Sequence, residues 1–208
     1  MALKTFVKIS AVNNLSDARY CAGMQVNLMG FNLEENNKNY ISPEKFKEIT
    51  DWLSGLEYIA EFEHTHPERI LTHIQEYDGF QYIQIEEEIH LKMLVNTEYG
   101  IILKQTVNTI SDLEDLIKKT ASYQQYQVTL LLVSEELPLD DTAMEKIKTL
   151  AEGCQVLLGF GLKSDSVEEI VEKTKVKGIA MEGGDEIKPG LKDFDELADI
   201  LESLEIED

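Results

Sequence analysis

The sequence predicts a (β/α)8 barrel, and three observations predict it. Eight short strand-like runs alternate with eight helical stretches along 208 residues, about 26 residues per unit. The runs Val156 to Leu158 and Val176 to Met181 show no polar alternation, as expected of parallel strands covered on both faces by helices. Both of these runs end in glycines, Gly159 and Gly161 after the first, Gly183 and Gly184 after the second. Strict alternation implies right-handed crossovers and a parallel sheet, and eight such units close on themselves at the small end of the barrel range. A doubly wound open sheet is the alternative. No linker or low-complexity segment divides residues 1–208, which read as one domain.

The elements follow in order. The first strand spans Thr5 to Ser10, and Asn14 caps a helix carrying Leu15, Ala18 and Ala22 on one face. The second, Val26 to Phe31, leads through a polar loop, Leu33 to Asn39, to the helix start Ser42-Pro43, with Phe46, Ile49 and Leu53 at helical spacing. The third, Glu57 to Phe62, precedes a helix from Pro67 to Tyr77; the fourth, Gln81 to Ile85, precedes a short helix over Glu88 to Leu94. Gly100 to Thr106 is the fifth, after which Ser111 with Glu114 predicts a capping box for a helix bearing Leu113, Leu116 and Ile117. Gln127 to Val133 is the sixth, followed by a helix from Thr142 to Ala151. After the seventh strand, Ser166 with Glu169 predicts another box. After the eighth, Asp193 with Glu196 caps a last helix, whose end Glu202 to Asp208 reads as solvated and frayed.

Nineteen basic residues against forty acidic ones give a net charge of −21, which opposes nucleic acid and anionic membranes. No apolar run is long enough to span a bilayer, and the opening residues lack a signal-peptide core. The two cysteines, Cys21 and Cys154, have no metal-binding spacing and suit a reducing compartment, so a cytoplasmic location is expected. A small phosphorylated ligand remains compatible with this charge, because local donors outweigh a distant field screened beyond about 10 Å.

Glycine turns at the ends of two adjacent parallel strands aim backbone N–H groups at one anion, and a following helix adds its dipole. Gly159, Phe160, Gly161 and Leu162 with Gly183 and Gly184 are thus candidate phosphate-binding residues, at the place where such barrels often hold phosphate. The competing reading is that these glycines only make short strand-to-helix turns.

The chain also resembles a known family along its whole length. Val7-Lys8-Ile9-Ser10-Ala11-Val12 sits where phosphoribosylanthranilate isomerases write V-K-I-C-G-I, and Asn14 to Ala18 is similar to their N-L-E-D-A. Met29-Gly30-Phe31 matches L-G-F, Asn39 to Glu44 matches R-Y-[IV]-S-P-E, and Gly159 to Leu162 resembles A-G-G-L. Gly178 to Glu186 and Pro189 to Asp193 align with G-V-D-V-S-S-G-V-E and P-G-x-K-D. The resemblance implies a (β/α)8 barrel, an Amadori rearrangement of a phosphorylated substrate in tryptophan biosynthesis, no metal or organic cofactor, and a monomer or homodimer.

It also implies substitutions at the reacting positions. The family's base, a cysteine, is Ser10, and an unassisted hydroxyl is far too weak a base at neutral pH. Lys8, two residues earlier and on the same side of the strand, is a possible substitute base, although an inward lysine more often pairs with a carboxylate. The family's acid, an aspartate, is Val133, which transfers no proton; Glu135 and Asp140 are nearby loop carboxylates. The arginine that holds the substrate carboxylate is Asn39, the Q-L-H-G motif reads Gln84-Ile85-Glu86-Glu87 so that Glu86 is a substrate-side position, and Glu182 stands beside the phosphate turn. The expected function is therefore a degenerate homologue that keeps at most a phosphate or phosphosugar site. The alternatives are an active isomerase using Ser10 and Lys8, or a non-catalytic binding protein.

His64-x-His66 follows the third strand and could present two imidazoles to a metal with Glu61, Glu63 or Glu86, but the helix start at Pro67 favours plain surface histidines and no metal is expected. His73 and His90 fall in helical stretches. Tyr77, Phe80 and Tyr82 read as packing residues.

Overall fold

In the computed structural model, which describes residues 2–183, 186–188, 191–192 and 195–206, eight parallel strands close in sequence order, β1 pairing with β8. They are β1 (Phe6–Ser10), β2 (Leu28–Asn32), β3 (Glu57–Glu61), β4 (Phe80–Ile85), β5 (Gly100–Thr106), β6 (Thr129–Val133), β7 (Gln155–Leu158) and β8 (Gly178–Glu182). The closed order excludes the open sheet. Closure at the β1–β8 seam depends on Gly178, because a Cβ there would collide with the backbone of Phe6.

The helices between them are α1 (Leu15–Gly23), α2 (Pro43–Thr50), α3 (Pro67–His73), α4 (Leu91–Leu94), α5 (Ile110–Ile117), α6 (Thr120–Gln125), α7 (Asp141–Gly153) and α8 (Val167–Thr174), with α9 (Asp195–Ser203) after β8. They bury apolar stripes against the outer face of the barrel: Phe46 and Ile49 from α2, Leu113 and Leu116 from α5, Ile147 and Leu150 from α7. Phe46 stacks on Phe80 with ring centroids 4.6 Å apart, and Tyr77 packs on both, so the aromatic residues near β4 are packing, as expected. Asn14 and Ser42 cap α1 and α2 as the sequence suggests.

Several local expectations need correction. The box at α5 is Thr109 with Asp112, not Ser111 with Glu114, because the helix already starts at Ile110 and Ser111 lies inside its first turn. Ser166 precedes α8 but makes no side-chain cap bond; its backbone (φ −134°, ψ −10°) is not in the extended conformation that aims a cap. The stretch after Pro67 is α3 followed by a 3-10 turn, Ile74–Glu76. Helix α6 and a short antiparallel ribbon, β9 (Glu186–Lys188) with β10 (Leu191–Lys192), were not anticipated. The tail does not fray through Ile206: Leu204 is buried, Lys4 N–H bonds to its carbonyl at 2.8 Å, and Ile206 N–H bonds to Ala2 at 2.9 Å. Asp193 and Gly184 lie outside the described residues. No helix among those described is long and apolar enough to cross a membrane.

Candidate active site

Alternation along each strand decides what enters the barrel. Its lower interior is apolar: Leu28, Ile59, Ile102, Leu131, Leu157 and Ala180 form one cluster, with Phe6 and Tyr82 against it. Toward the carboxyl ends, one or two inward steps on, the positions turn polar on β1 to β5, where Ser10, Asn32, Glu61, Gln84 and Lys104 line a cavity of about 150 Å³. Val133, Gly159, Ala180 and Glu182 close its other side.

The deepest feature is a buried ion pair. Lys8, fully buried, reaches Glu61 Oε1 at 2.5 Å and donates to Ser10 Oγ at 2.5 Å. The other Glu61 oxygen accepts the Ala11 N–H at 2.9 Å. Gly30 leaves the room this carboxylate needs, since a Cβ there would overlap it. Lys8 is therefore partnered by a carboxylate rather than standing alone as an amine base. What it does to Ser10 is fix the hydroxyl and place a positive charge where an alkoxide would form.

A second charged group rims the cavity. Lys104 bonds to Glu86 at 2.8 Å. Burial pulls the Lys104 ammonium down, but the bond to Glu86, with Glu63 and Glu61 nearby, more than offsets this and holds it above the usual lysine range. Glu86 is thus occupied by Lys104 at the strand ends. Glu63 lines the same cavity and accepts from Asn37 at 2.9 Å; burial and the charge of Glu86 push its carboxyl up, only partly opposed by Lys104. Beside it Glu34 Oε1 takes three backbone N–H bonds, from Glu63, His64 and Thr65, which with the Thr65 hydroxyl outweigh its burial and hold it low. Glu34 ties the loop after β2 to the end of β3.

The remaining predicted positions fall as follows. Asn39 is buried at the rim, accepting from Asn13 at 3.2 Å and donating to Glu182 at 3.5 Å. Val133 lines the cavity as an apolar wall. Asp140 caps α7 through Ala143, and Glu135 is an exposed loop residue; neither lines the cavity. Phe160, Gly161 and Leu162 line a neighbouring hollow of about 310 Å³ with Gly159, Met181, Glu182 and Glu196. Gly161 sits at φ +68°, a conformation that needs glycine. The Gly159 N–H is taken by the Leu132 carbonyl at 2.8 Å, so it extends the sheet rather than facing a ligand. His64 is exposed, and His66 accepts from Glu68 N–H as the cap of α3. Among the described residues no group of three His, Cys, Asp or Glu side chains could hold a metal. Burial pushes the Cys21 thiol up to about 12 and the Cys154 thiol up to about 11, which disfavours the thiolate form of both.

Sequence reasoning named Lys8 but did not pair it with Glu61; it offered Glu61 and Glu63 only as possible metal ligands beside His64 and His66, and it missed Lys104 as a cavity residue. The available signal was the alternation itself: Lys104 is two residues beyond Ile102 on the same strand, and so faces inward with it.

A closed parallel barrel with a polar cavity at the carboxyl ends of its strands belongs to the class of (β/α)8 proteins that place enzyme sites there. Residues 7–203 match N-(5'-phosphoribosyl)anthranilate isomerase, and the chain belongs to that family. The isomerase of Aquifex aeolicus is 28% identical over 205 residues, covering 94% of this chain and 96% of its own. That of Thermotoga petrophila is 24% identical over 201 residues, covering 95% and 97%. The crystal structure of the Thermotoga maritima enzyme superposes with a TM-score of 0.77 at 22% identity, covering 96% of this chain and 98% of that one, which shows the shared fold. A further structure, at TM-score 0.76 and 22% identity over 96% of this chain and 98% of its own, holds reduced 1-(o-carboxyphenylamino)-1-deoxyribulose 5-phosphate.

Proposed function

We propose that the protein is an aldose–ketose isomerase of its family's type, acting on a phosphorylated sugar derivative with a rebuilt set of proton-transfer groups. The observation that carries this reading is that Ser10, Glu63 and Gly159 line one cavity at the carboxyl ends of the strands. The phosphorylated ligand of the related structure supports the substrate class. The phosphate lies toward Phe160, Gly161 and Leu162, with Gly183 after β8 as a further candidate contact. Ser10 accepts the proton as its alkoxide, formed by loss of the hydroxyl proton to solvent water and stabilised by the Lys8 ammonium, which Glu61 holds in place; taking up the substrate proton returns the hydroxyl. Glu63, whose raised carboxyl retains a proton better than an ordinary glutamate, supplies the acid that Val133 cannot. Asn39 in the arginine position removes a charged contact and points to a substrate other than, or less tightly held than, the anthranilate conjugate. We place the protein in the cytoplasm, as a single barrel domain that is a monomer or homodimer.

Binding without turnover is the second reading, favoured by the apolar Val133 and by Glu182 and Glu196 in the hollow where phosphate would lie. Each proton-transfer group contributes about 10² to 10⁴ in rate. A fluorescence assay on fresh phosphoribosylanthranilate separates the two readings, with Ser10→Ala as control and Ser10→Cys/Val133→Asp alongside. Slow turnover abolished by Ser10→Ala is expected. An inert protein whose double variant is active establishes the second reading, with scaffold and ligand site kept and the chemistry lost.

A further inference from the structure

Glu34 makes more polar contacts than closing a surface loop requires. Its Oε1 accepts the backbone N–H groups of Glu63, His64 and Thr65 at 3.0, 2.7 and 2.8 Å, and the Thr65 hydroxyl at 2.7 Å. Burial alone would raise this carboxyl, but the four donors outweigh it and keep Glu34 ionised. The first of those N–H groups belongs to Glu63, which lines the cavity. The same loop reaches the Glu63 side chain, because Asn37 Nδ2 donates to its Oε1 at 2.9 Å. Asn37 is itself fixed: its N–H bonds to the Glu34 carbonyl at 2.9 Å, and its side-chain oxygen accepts the Asn39 N–H at 2.8 Å. The start of α3 does not need this grip, since His66 already caps that helix.

We infer that Glu34, with Asn37, positions Glu63: the loop after β2 fixes the backbone and one carboxylate oxygen of that residue, and leaves Oε2 to present the proton to a ligand. The inference rests on the isomerase reading above in taking Glu63 as the acid, and adds what aims it. Glu34 touches no ligand and transfers no proton. Its negative charge also opposes ionisation of a second carboxylate nearby. Around Glu63, burial and Glu86 just after β4 act in that sense ahead of Glu34, while Lys104 on β5 and the exposed His64 act against it.

The test is made on the whole protein by NMR, which needs no substrate, and then by kinetics on phosphoribosylanthranilate. Amide exchange at residues 63–65 and titration of the Glu63 carboxyl, assigned with Glu63→Gln, are followed in the unmodified chain, Glu34→Gln and Glu34→Ala. Glu34→Ala should speed exchange of the three amides by about tenfold or more and let Glu63 titrate as an ordinary exposed glutamate. Glu34→Gln should keep the protection, because its amide oxygen accepts the same bonds, while the Glu63 midpoint falls with the charge removed. In turnover, Glu34→Ala should lower kcat by about 10² or more with KM little changed, and add nothing to Glu63→Gln. The alkaline fall of kcat should move to lower pH in Glu34→Gln, following Glu63. Unchanged exchange in Glu34→Ala, an unmoved Glu63 midpoint in Glu34→Gln, or full turnover by Glu34→Ala overturns the positioning role. The expected NMR changes in a protein without turnover overturn the isomerase reading alone and leave the grip on Glu63 established.

Discussion

The two walls of the cavity solve different problems. On β1 to β5 the inward side chains are Ser10, Asn32, Glu61, Gln84 and Lys104, and most of their polar atoms are spoken for by neighbours. On β6 to β8 the wall is Val133, Gly159 and Ala180, which contribute little more than shape and backbone. A ligand meeting the first wall must compete with existing ion pairs. One meeting the second must rely on main-chain donors from the turn after β7, opposed by Glu182. The charged wall is a matter of electrostatic balance and the bare wall a matter of fit, so substitutions in the two should fail in different ways.

Breaking the charged wall should have the largest effect. Lys8→Met leaves Glu61 buried and without its cation, and removal of one member of such a pair costs about 3 to 5 kcal/mol. Denaturant unfolding should show that loss, and Lys8→Met/Glu61→Leu should recover most of it, because an apolar pair carries no desolvation cost. A loss below about 1 kcal/mol for the single variant would mean that the pair does not organise this wall.

On the bare wall the cost is steric. A Cβ on Gly159 would lie 2.9 Å from the Leu132 carbonyl and 3.2 Å from side-chain atoms of Leu131 and Val133. Gly159→Ala should therefore cost about 1 to 3 kcal/mol by overpacking and shrink the cavity. The same variant should weaken inorganic phosphate binding, whereas Lys8→Met, if folded, should leave it nearly intact. Equal losses of phosphate affinity in both variants would erase the distinction between the walls.

The bare wall was the more legible from sequence, and the reason is local. Gly159 and Gly161 announce a turn by residue type, and the strand before them by an unbroken apolar run. The same local logic found the eight strands and the caps at Asn14 and Ser42. It failed where two segments distant in sequence must meet. Glu61 is 53 residues from Lys8, and nothing in either motif says which carboxylate an inward lysine will take. The caps at α5 and α8 were misread because several Ser, Thr, Asp and Glu residues stand within one turn, and only the backbone selects among them. The strap formed by Leu204 to Ile206 was hidden by its acidic surroundings.

The smallest effect lies beside the ion pair, at a position where resemblance and geometry agree. Ala11 has φ +53°, in the left-handed region, and stands where the family writes glycine. Its N–H is held by Glu61 Oε2, so the charged wall keeps an unfavourable backbone conformation in place. For an alanine that conformation costs about 1 to 2 kcal/mol, and a glycine gives back roughly 0.5 to 1 kcal/mol in unfolded-chain entropy. Ala11→Gly should therefore stabilise the protein by up to about 1 kcal/mol, visible as a small rise in the denaturation midpoint without a change in slope. The gain should vanish in the Lys8→Met/Glu61→Leu background if Ala11 relaxes once the carboxylate is gone. Persistence of the full gain there would show that the turn after β1 fixes this backbone by itself, independently of the charged wall.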